Sequence, residues 1–325
     1  MHTKFSALLL GMALLAAPST MAQAVTFTLG TTNGTEDLST RAMDRWREAM
    51  AEKSGGELVM ELSTGGALGG DQELLQQLAT NEIQAHIAGP VVLHRLVPAY
   101  QCLEAEYVYE DQAHGFKVWR GALGAEVSDA LKAQYGIEIA AVGARGARQL
   151  TSNKAIRVPA DLEGVKVRVT NPLRAQIFEA YGALPGNLPV SELYGALLQG
   201  VFDAQENPIP TIYGDRYYEV QKFINLTGHV QSYNVVSVNS EFVDGLSPEH
   251  RQIFDDTLAE AIAWLDQAVA DDTGTLIEKM KAERGIEVVE PDVAAFVAVA
   301  QPIVETFAAE NCRPGLLDDV RAAAE

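Results

Sequence analysis

Cysteine is nearly missing from these 325 residues: Cys102 and Cys312 are the only two. A dense disulfide framework and a cysteine-built zinc site are excluded at once. Positive charge is scarce as well. Lys and Arg number 24 against 44 Asp and Glu, a formal net charge of -20. No basic stripe is available to neutralise phosphates, which argues against nucleic acid and against anionic lipid. The six histidines, His2, His86, His94, His114, His229 and His250, are scattered and never meet at metal-ligand spacing. There is no G-x-S-x-G and no H-E-x-x-H. The glycine-rich stretch STGGALGGD lacks the Lys-Ser/Thr of a phosphate loop. Neither a cofactor nor a metal is implied, and no catalytic group stands out.

What is present begins with an apolar leader. Lys4 precedes a nearly unbroken apolar run from Phe5 to Ala17, followed by the small-x-small triplet Ala22-Gln23-Ala24. The run falls short of the roughly 20 apolar residues of a spanning helix. It reads as a signal peptide over residues 1–24, with the mature chain starting at Val25. No later stretch is expected to span a bilayer. The product is then an exported, soluble protein, which fits a bacterial periplasm. Export permits a disulfide between Cys102 and Cys312, but their spacing alone does not pair them. Two buried thiols is the plainer reading.

Hydrophobic residues make up 47% of the chain, enough for a sizeable core, and the length suits about two domains. Apolar periodicity predicts strands at 25–29, 58–62 and 83–87 alternating with helices at 35–53 and 71–80, the second capped by Asp71. That rhythm implies a right-handed α/β unit around a parallel sheet. Residues 90–135 read as helices broken at Pro98, Gly115 and Gly121. A second α/β run follows: strands at 137–143, 165–170 and 202–206, helices at 172–181 and 191–199. A return strand is predicted at 232–239. A long helix spans about 248–284, with Phe254, Leu258, Ile262, Leu265, Val269, Leu276 and Met280 at helical spacing. At about 1.5 Å per residue it exceeds the width of one lobe, so it would brace two, with a bend at Gly274.

The chemistry gathers between residues 145 and 207. Arg148 and Arg168 each lie in or beside a predicted strand, near where it leaves the sheet, and ligands of open α/β sheets bind at such ends. In V-K-V-R-V, Lys166 and Arg168 share one face and the valines the other. Two readings stand: both basic groups point to solvent, or Arg168 enters a cleft and takes a carboxylate bidentately.

Several stretches in order, RQLTSNKAIRVPADLEGVKVRV, ELYGALLQGVFDAQENP, YYEVQKFINLTGH and LGGDQELLQQL, resemble the substrate-binding proteins of TRAP transporters, the tripartite ATP-independent periplasmic systems. The likeness runs from about Phe27 to Ala309. It implies a periplasmic binding protein fold of the α/β class, two lobes with a cleft between them and the long C-terminal helix as brace. By this reading one lobe holds residues 25–145 and 233–272, the other 146–232 and 273–325. The resemblance makes Arg168 the clamp on the ligand carboxylate and Asn207 a ligand contact. Arg148 contributes in the sialic-acid branch, and Asn171 matches a position near the ligand. That branch has a glutamate where this chain has Gly89 and a phenylalanine where it has Val190, which turns the expectation away from sialic acid. Asp71, Arg145, Gln205 and Gln231 are expected as polar neighbours; a surface ion pair is the alternative for Arg145. The implied partners are a small organic acid and a membrane permease driven by an ion gradient, with the protein itself a monomer. The rivals are a binding protein of an ATP-driven importer, a ligand-sensing subunit, and an exported enzyme acting on a carboxylic acid.

Overall fold

The computed structural model describes residues 24–324, so the leader lies outside the described residues apart from Ala24. The first unit forms as its pattern predicts. Strand β1 (Val25–Gly30) pairs in parallel with β2 (Leu58–Ser63) and β3 (Ala85–Ala88). Helix α1 (Leu38–Lys53) starts where the Asp37 carboxylate accepts from the Ser39 N–H at 2.8 Å, which satisfies an otherwise orphaned donor. Helix α2 (Asp71–Ala79) differs from expectation in its start. Gly70 occupies the cap position, and Asp71 is the first helical residue with its carboxylate turned elsewhere.

Residues 90–135 begin as two 3₁₀ segments, Pro90–Arg95 and Pro98–Glu104, each opened by its proline. Helices α3 (Gln112–Trp119) and α4 (Ala122–Tyr135) follow. Gly115 does not break α3. It packs under Tyr233, where a Cβ would stand only 1.8 Å from the phenol oxygen, so its glycine answers a packing need rather than a turn.

Two strands are longer than their patterns suggest. β4 (Ile137–Ser152) runs nine residues past the predicted end at 143, and β8 (Phe223–Asn239) starts nine residues before the predicted return strand. They pair antiparallel along nearly their whole length. Between them in the chain come β5 (Lys166–Arg168), α5 (Pro172–Ala180), β6 (Leu184–Gly186), α6 (Val190–Leu198), β7 (Ala204–Pro208) and α7 (Ile209–Gly214). After β8 come α8 (Ser240–Asp244), α9 (Pro248–Arg284), β9 (Glu287–Val289), α10 (Val293–Asn311) and α11 (Leu316–Ala322). The sheet is mixed rather than parallel, with strand order β2-β1-β3-β8-β4-β7-β5-β6 and β9 beside β8. The antiparallel pairs β3–β8, β8–β4 and β4–β7 join a parallel group at each end.

Among the described residues, apolar side chains gather in three buried clusters. Phe27, Trp46, Phe254, Leu258 and Leu265 anchor one; Leu193, Ile212, Tyr217, Leu276 and Met280 anchor another. The largest lies under α2–α5 and α10–α11. Helix α9, 37 residues and about 55 Å long, serves the first cluster up to Val269 and the second from Leu276. The stretch between holds no buried residue, and Thr273 there bonds back to the Val269 carbonyl at 2.7 Å, a contact that favours bending. By composition and length alone α10 is apolar enough to cross a membrane. Its stripe of Phe296, Ala300, Val304 and Phe307 is instead seated in the core, and the Tyr181 hydroxyl donates to the Phe296 carbonyl at 3.1 Å. Cys102 and Cys312 are joined in a disulfide across 210 residues, so the reading of two buried thiols is overturned. The folded chain brings the end of α10 back onto the second 3₁₀ segment, a contact that no local pattern announces.

Candidate functional site

A cavity of about 240 Å³ opens at the strand ends. The β1–α1 turn supplies Thr32 and Asn33, the start of α2 supplies Asp71, and the end of β3 supplies Gly89. The facing wall comes from Arg145 and Arg148 of β4, Arg168 of β5, Asn187 of the β6–α6 connection, Val190 at the start of α6, and Asn207 of β7. Seven of the ten residues expected at a site therefore meet here. The other three do not line it. Asn171 caps α5, its side-chain oxygen accepting from the Arg174 N–H at 2.8 Å, and borders a neighbouring groove. Gln205 is buried behind the wall, between Thr151 and Asn207. Gln231 sits on β8 opposite Ala147, away from the cavity.

Arg168 is buried, 4% exposed, so it does not point to solvent. Its Nε and Nη2 donate to the Leu188 carbonyl at 2.9 and 2.7 Å, which fixes the plane of the guanidinium. Nη1 is buried and has no partner among the described residues. Burial lowers its proton affinity below the usual arginine range, with the charge of Glu206 pulling the other way. An arginine in this setting keeps its charge, and a buried cation with an empty N–H calls for an anion.

Arg148 is committed elsewhere. Its Nε donates to the Glu206 carboxylate, and Nη2 donates to the Glu206 carbonyl and to Asn207 Oδ1, the last at 3.1 Å. Glu206 also accepts from Arg174 at 3.4 Å and lies 3.1 Å from His229 Nε2. Burial alone would raise the Glu206 carboxyl; Arg148, Arg174 and the His229 hydrogen bond outweigh it and hold the group well below the ordinary range. Arg174 in turn donates to Glu106 at 2.7 Å and to the Glu104 carbonyl at 3.1 Å. Burial pushes Glu104 up to about 7 despite that arginine. This buried network escaped the sequence reading, which took Arg148 for a ligand contact, because Arg174 and Glu206 lie far from it in the chain and carry no local signal.

Arg145 and Arg148 are three residues apart, so a regular strand would send them to opposite faces. The β4–β8 register slips between Ala144 and Gly146, and Gly146 takes a φ of 89°. Such a bulge re-aims the side chain beside it, and both arginines reach the cavity. Arg145 makes no ion pair or hydrogen bond among the described residues, and its Nε is buried without a partner. Asp71 faces it across the cavity. Burial raises the Asp71 carboxyl, but His86, Thr32 and the Arg145 charge together bring it below its ordinary value. Thr32 donates to Asp71 Oδ1 at 2.9 Å, and His86 Nε2 lies 3.6 Å from that oxygen.

An α/β sheet with an anion-receptive cavity at its strand ends, and a long helix shared by separate cores, defines a binding protein of the two-lobed kind. The model of the bacterial extracellular solute-binding proteins, family 7, matches residues 29–311. The 2,3-diketo-L-gulonate-binding periplasmic protein of Escherichia coli is 31% identical over 281 residues, covering 86% of this chain and 84% of its own. A TRAP periplasmic solute-binding protein from Ochrobacterium anthropi, solved with bound L-fuconate, shares 30% identity at a TM-score of 0.86, over 93% of this chain and 100% of its own. Another from Roseobacter denitrificans, with bound L-galactonate, shares 26% identity at a TM-score of 0.85, over 93% of this chain and 99% of its own. The chain belongs to family 7 of the bacterial extracellular solute-binding proteins, the substrate-binding proteins of TRAP transporters. It is a binding protein and not an enzyme.

Proposed function

We propose that this protein captures a small organic acid in the periplasm, after removal of residues 1–24, and hands it as a monomer to a TRAP permease. The observation that carries the ligand class is the buried Arg168, which presents an unpartnered Nη1 at the cavity wall. A carboxylate there gains a charge-assisted hydrogen bond worth about 1.5–3 kcal/mol net. Asn207 adds to the same wall: Arg148 holds its oxygen and Gln205 accepts from its amide, which leaves one N–H free. Arg148 supports the ligand through Asn207, since Glu206 already takes its charge.

The lobes are assigned as residues 25–145 with 233–272, and 146–232 with 273–325. The change of clusters along α9 between Val269 and Leu276 supports that division. A ligand bridging the walls favours the closed arrangement by its extra contacts there. Calorimetric titration of the mature protein with carboxylic acids and their amide analogues tests the reading. Arg168→Ala should weaken binding of the acid by roughly 10- to 100-fold and leave the amide's binding unchanged. Parent-like affinity in that variant would remove Arg168 from the site.

A further inference from the structure

The cavity has a second polar pole. Gly89 ends the segment after β3, and a Cβ built on it would stand 2.5 Å from Arg145 Nη1. The missing side chain is therefore the space into which the Arg145 guanidinium reaches. Across the cavity, Asp71 Oδ1 is occupied by Thr32, while Oδ2 has no partner among the described residues.

The charges decide what this pole can take. Four arginines line the cavity: Arg95, Arg145, Arg148 and Arg168. Against them stand Asp71 and Glu73 at the wall and Glu206 behind Arg148. Arg174 does not enter the count, because Glu106 takes it. With Glu104, which burial pushes up to about 7, still protonated, one positive charge remains, which suits one carboxylate. A second carboxylate beside Arg145 would also face Asp71, and like charges at short range repel. A hydroxyl suits both neighbours: its oxygen accepts from Arg145 and its proton goes to Asp71 Oδ2.

We infer that Gly89, Arg145 and Asp71 form a hydroxyl-recognising subsite, and that the ligand is a polyhydroxylated monocarboxylic acid rather than a dicarboxylate. The inference rests on the reading of Arg168 as the anchor of the carboxylate. Gly89 is the specificity element: any side chain there displaces the guanidinium. The atom it meets is the far end of a flexible side chain, so Gly89→Ala alters the subsite with little effect on the fold.

The test is titration of the parent, Gly89→Ala, Arg145→Gln and the double variant. The panel comprises four- to six-carbon aldonic acids, their deoxy analogues, succinate and fumarate. The parent should prefer an aldonic acid over both dicarboxylates and over its own deoxy analogue. Each single variant should lose about 10-fold in affinity for it. The double variant should lose no more than Arg145→Gln alone, because both act through one guanidinium. The deoxy analogue should bind all four proteins alike. A parent that prefers a dicarboxylate, or single variants with parent affinity, overturns the inference. Arg168→Ala separates the two levels. If it loses acid binding while the Gly89 and Arg145 variants keep theirs, the subsite falls and the anchor stands. If it keeps acid binding, the anchor itself falls.

Discussion

Replacing Glu104 with Gln should make the protein more stable at neutral and alkaline pH, and the gain should vanish in mild acid. Glu104 is 2% exposed at the end of a 3₁₀ segment, and one carboxylate oxygen has no partner among the described residues. Burial lifts it from 4.5 to about 7, with Arg174, Arg148 and Arg145 pulling it down. Below pH 4.5 the group is protonated in both the folded and the unfolded chain and adds no pH dependence. Between 4.5 and 7 the unfolded chain releases its proton while the folded chain keeps it, so stability falls as pH rises. Above 7 both are ionised and the loss is complete. At about 1.4 kcal/mol per pH unit this amounts to roughly 3 kcal/mol. A glutamine does not titrate and escapes the loss. The parent curve also carries Asp215, which burial and Asp37 raise to about 7, and which weakens the fold over a similar window. The depressed Glu206 acts in the opposite sense and is lost as pH falls. The difference between variant and parent isolates Glu104. Urea unfolding of the ligand-free mature chain, followed by circular dichroism at half-unit steps from pH 4 to 8.5, measures it. A flat difference across that range, or one that shrinks as pH rises, would refute the assignment of a buried, raised carboxyl.

Other consequences can be checked in the same way. Replacing both cysteines by serine should cost several kcal/mol, since the chain-entropy estimate for a loop this long is about 5 kcal/mol; urea midpoints of the oxidised parent and the variant give the value. Phe254→Ala removes a fully buried ring that contacts Trp46 edge-on at 4.8 Å, and about 3–5 kcal/mol should be lost in the same unfolding assay. Gly115→Ala drives a methyl group into Tyr233 and should cost about 1–3 kcal/mol, read from the thermal midpoint and from near-ultraviolet tyrosine dichroism. Each is a stability prediction, so ligand should raise all these midpoints by mass action without changing their order.

The fold and the site were not equally legible. Helix α9 was readable end to end, because Ser247 and Pro248 open it, Gly285 closes it in the left-handed region at φ 67°, and apolar spacing marks its buried face. Strand β8 was half visible: Ser232–Asn239 alternates cleanly, whereas Phe223–Gln231 carries Asn225, Thr227, Gly228 and His229, and Gly228 takes a φ of 53°. The V-K-V-R-V alternation left Arg168 between solvent and cleft, and only the family likeness pointed it to the cavity that it lines. The aim of Arg145 was not, since it depends on a register slip that only the pairing of β4 with β8 reveals. Asn171 lies off the cavity for a plain reason: a short polar side chain before Pro172 serves the helix start first. The pairing of Glu206 with Arg148 and Arg174 is a tertiary event with no local trace.

The cross-link between Cys102 and Cys312 has a mechanical meaning. With the lobes divided as proposed, one sulfur belongs to each, so the bond is a rivet through the joint. Two bodies riveted at one point cannot slide apart; they can only turn about it. Under that division, a motion that admitted and released ligand would be a rotation about this point, with α9 flexing near Thr273 like a leaf spring. Reducing that bond would add play to the joint before it loosened either body.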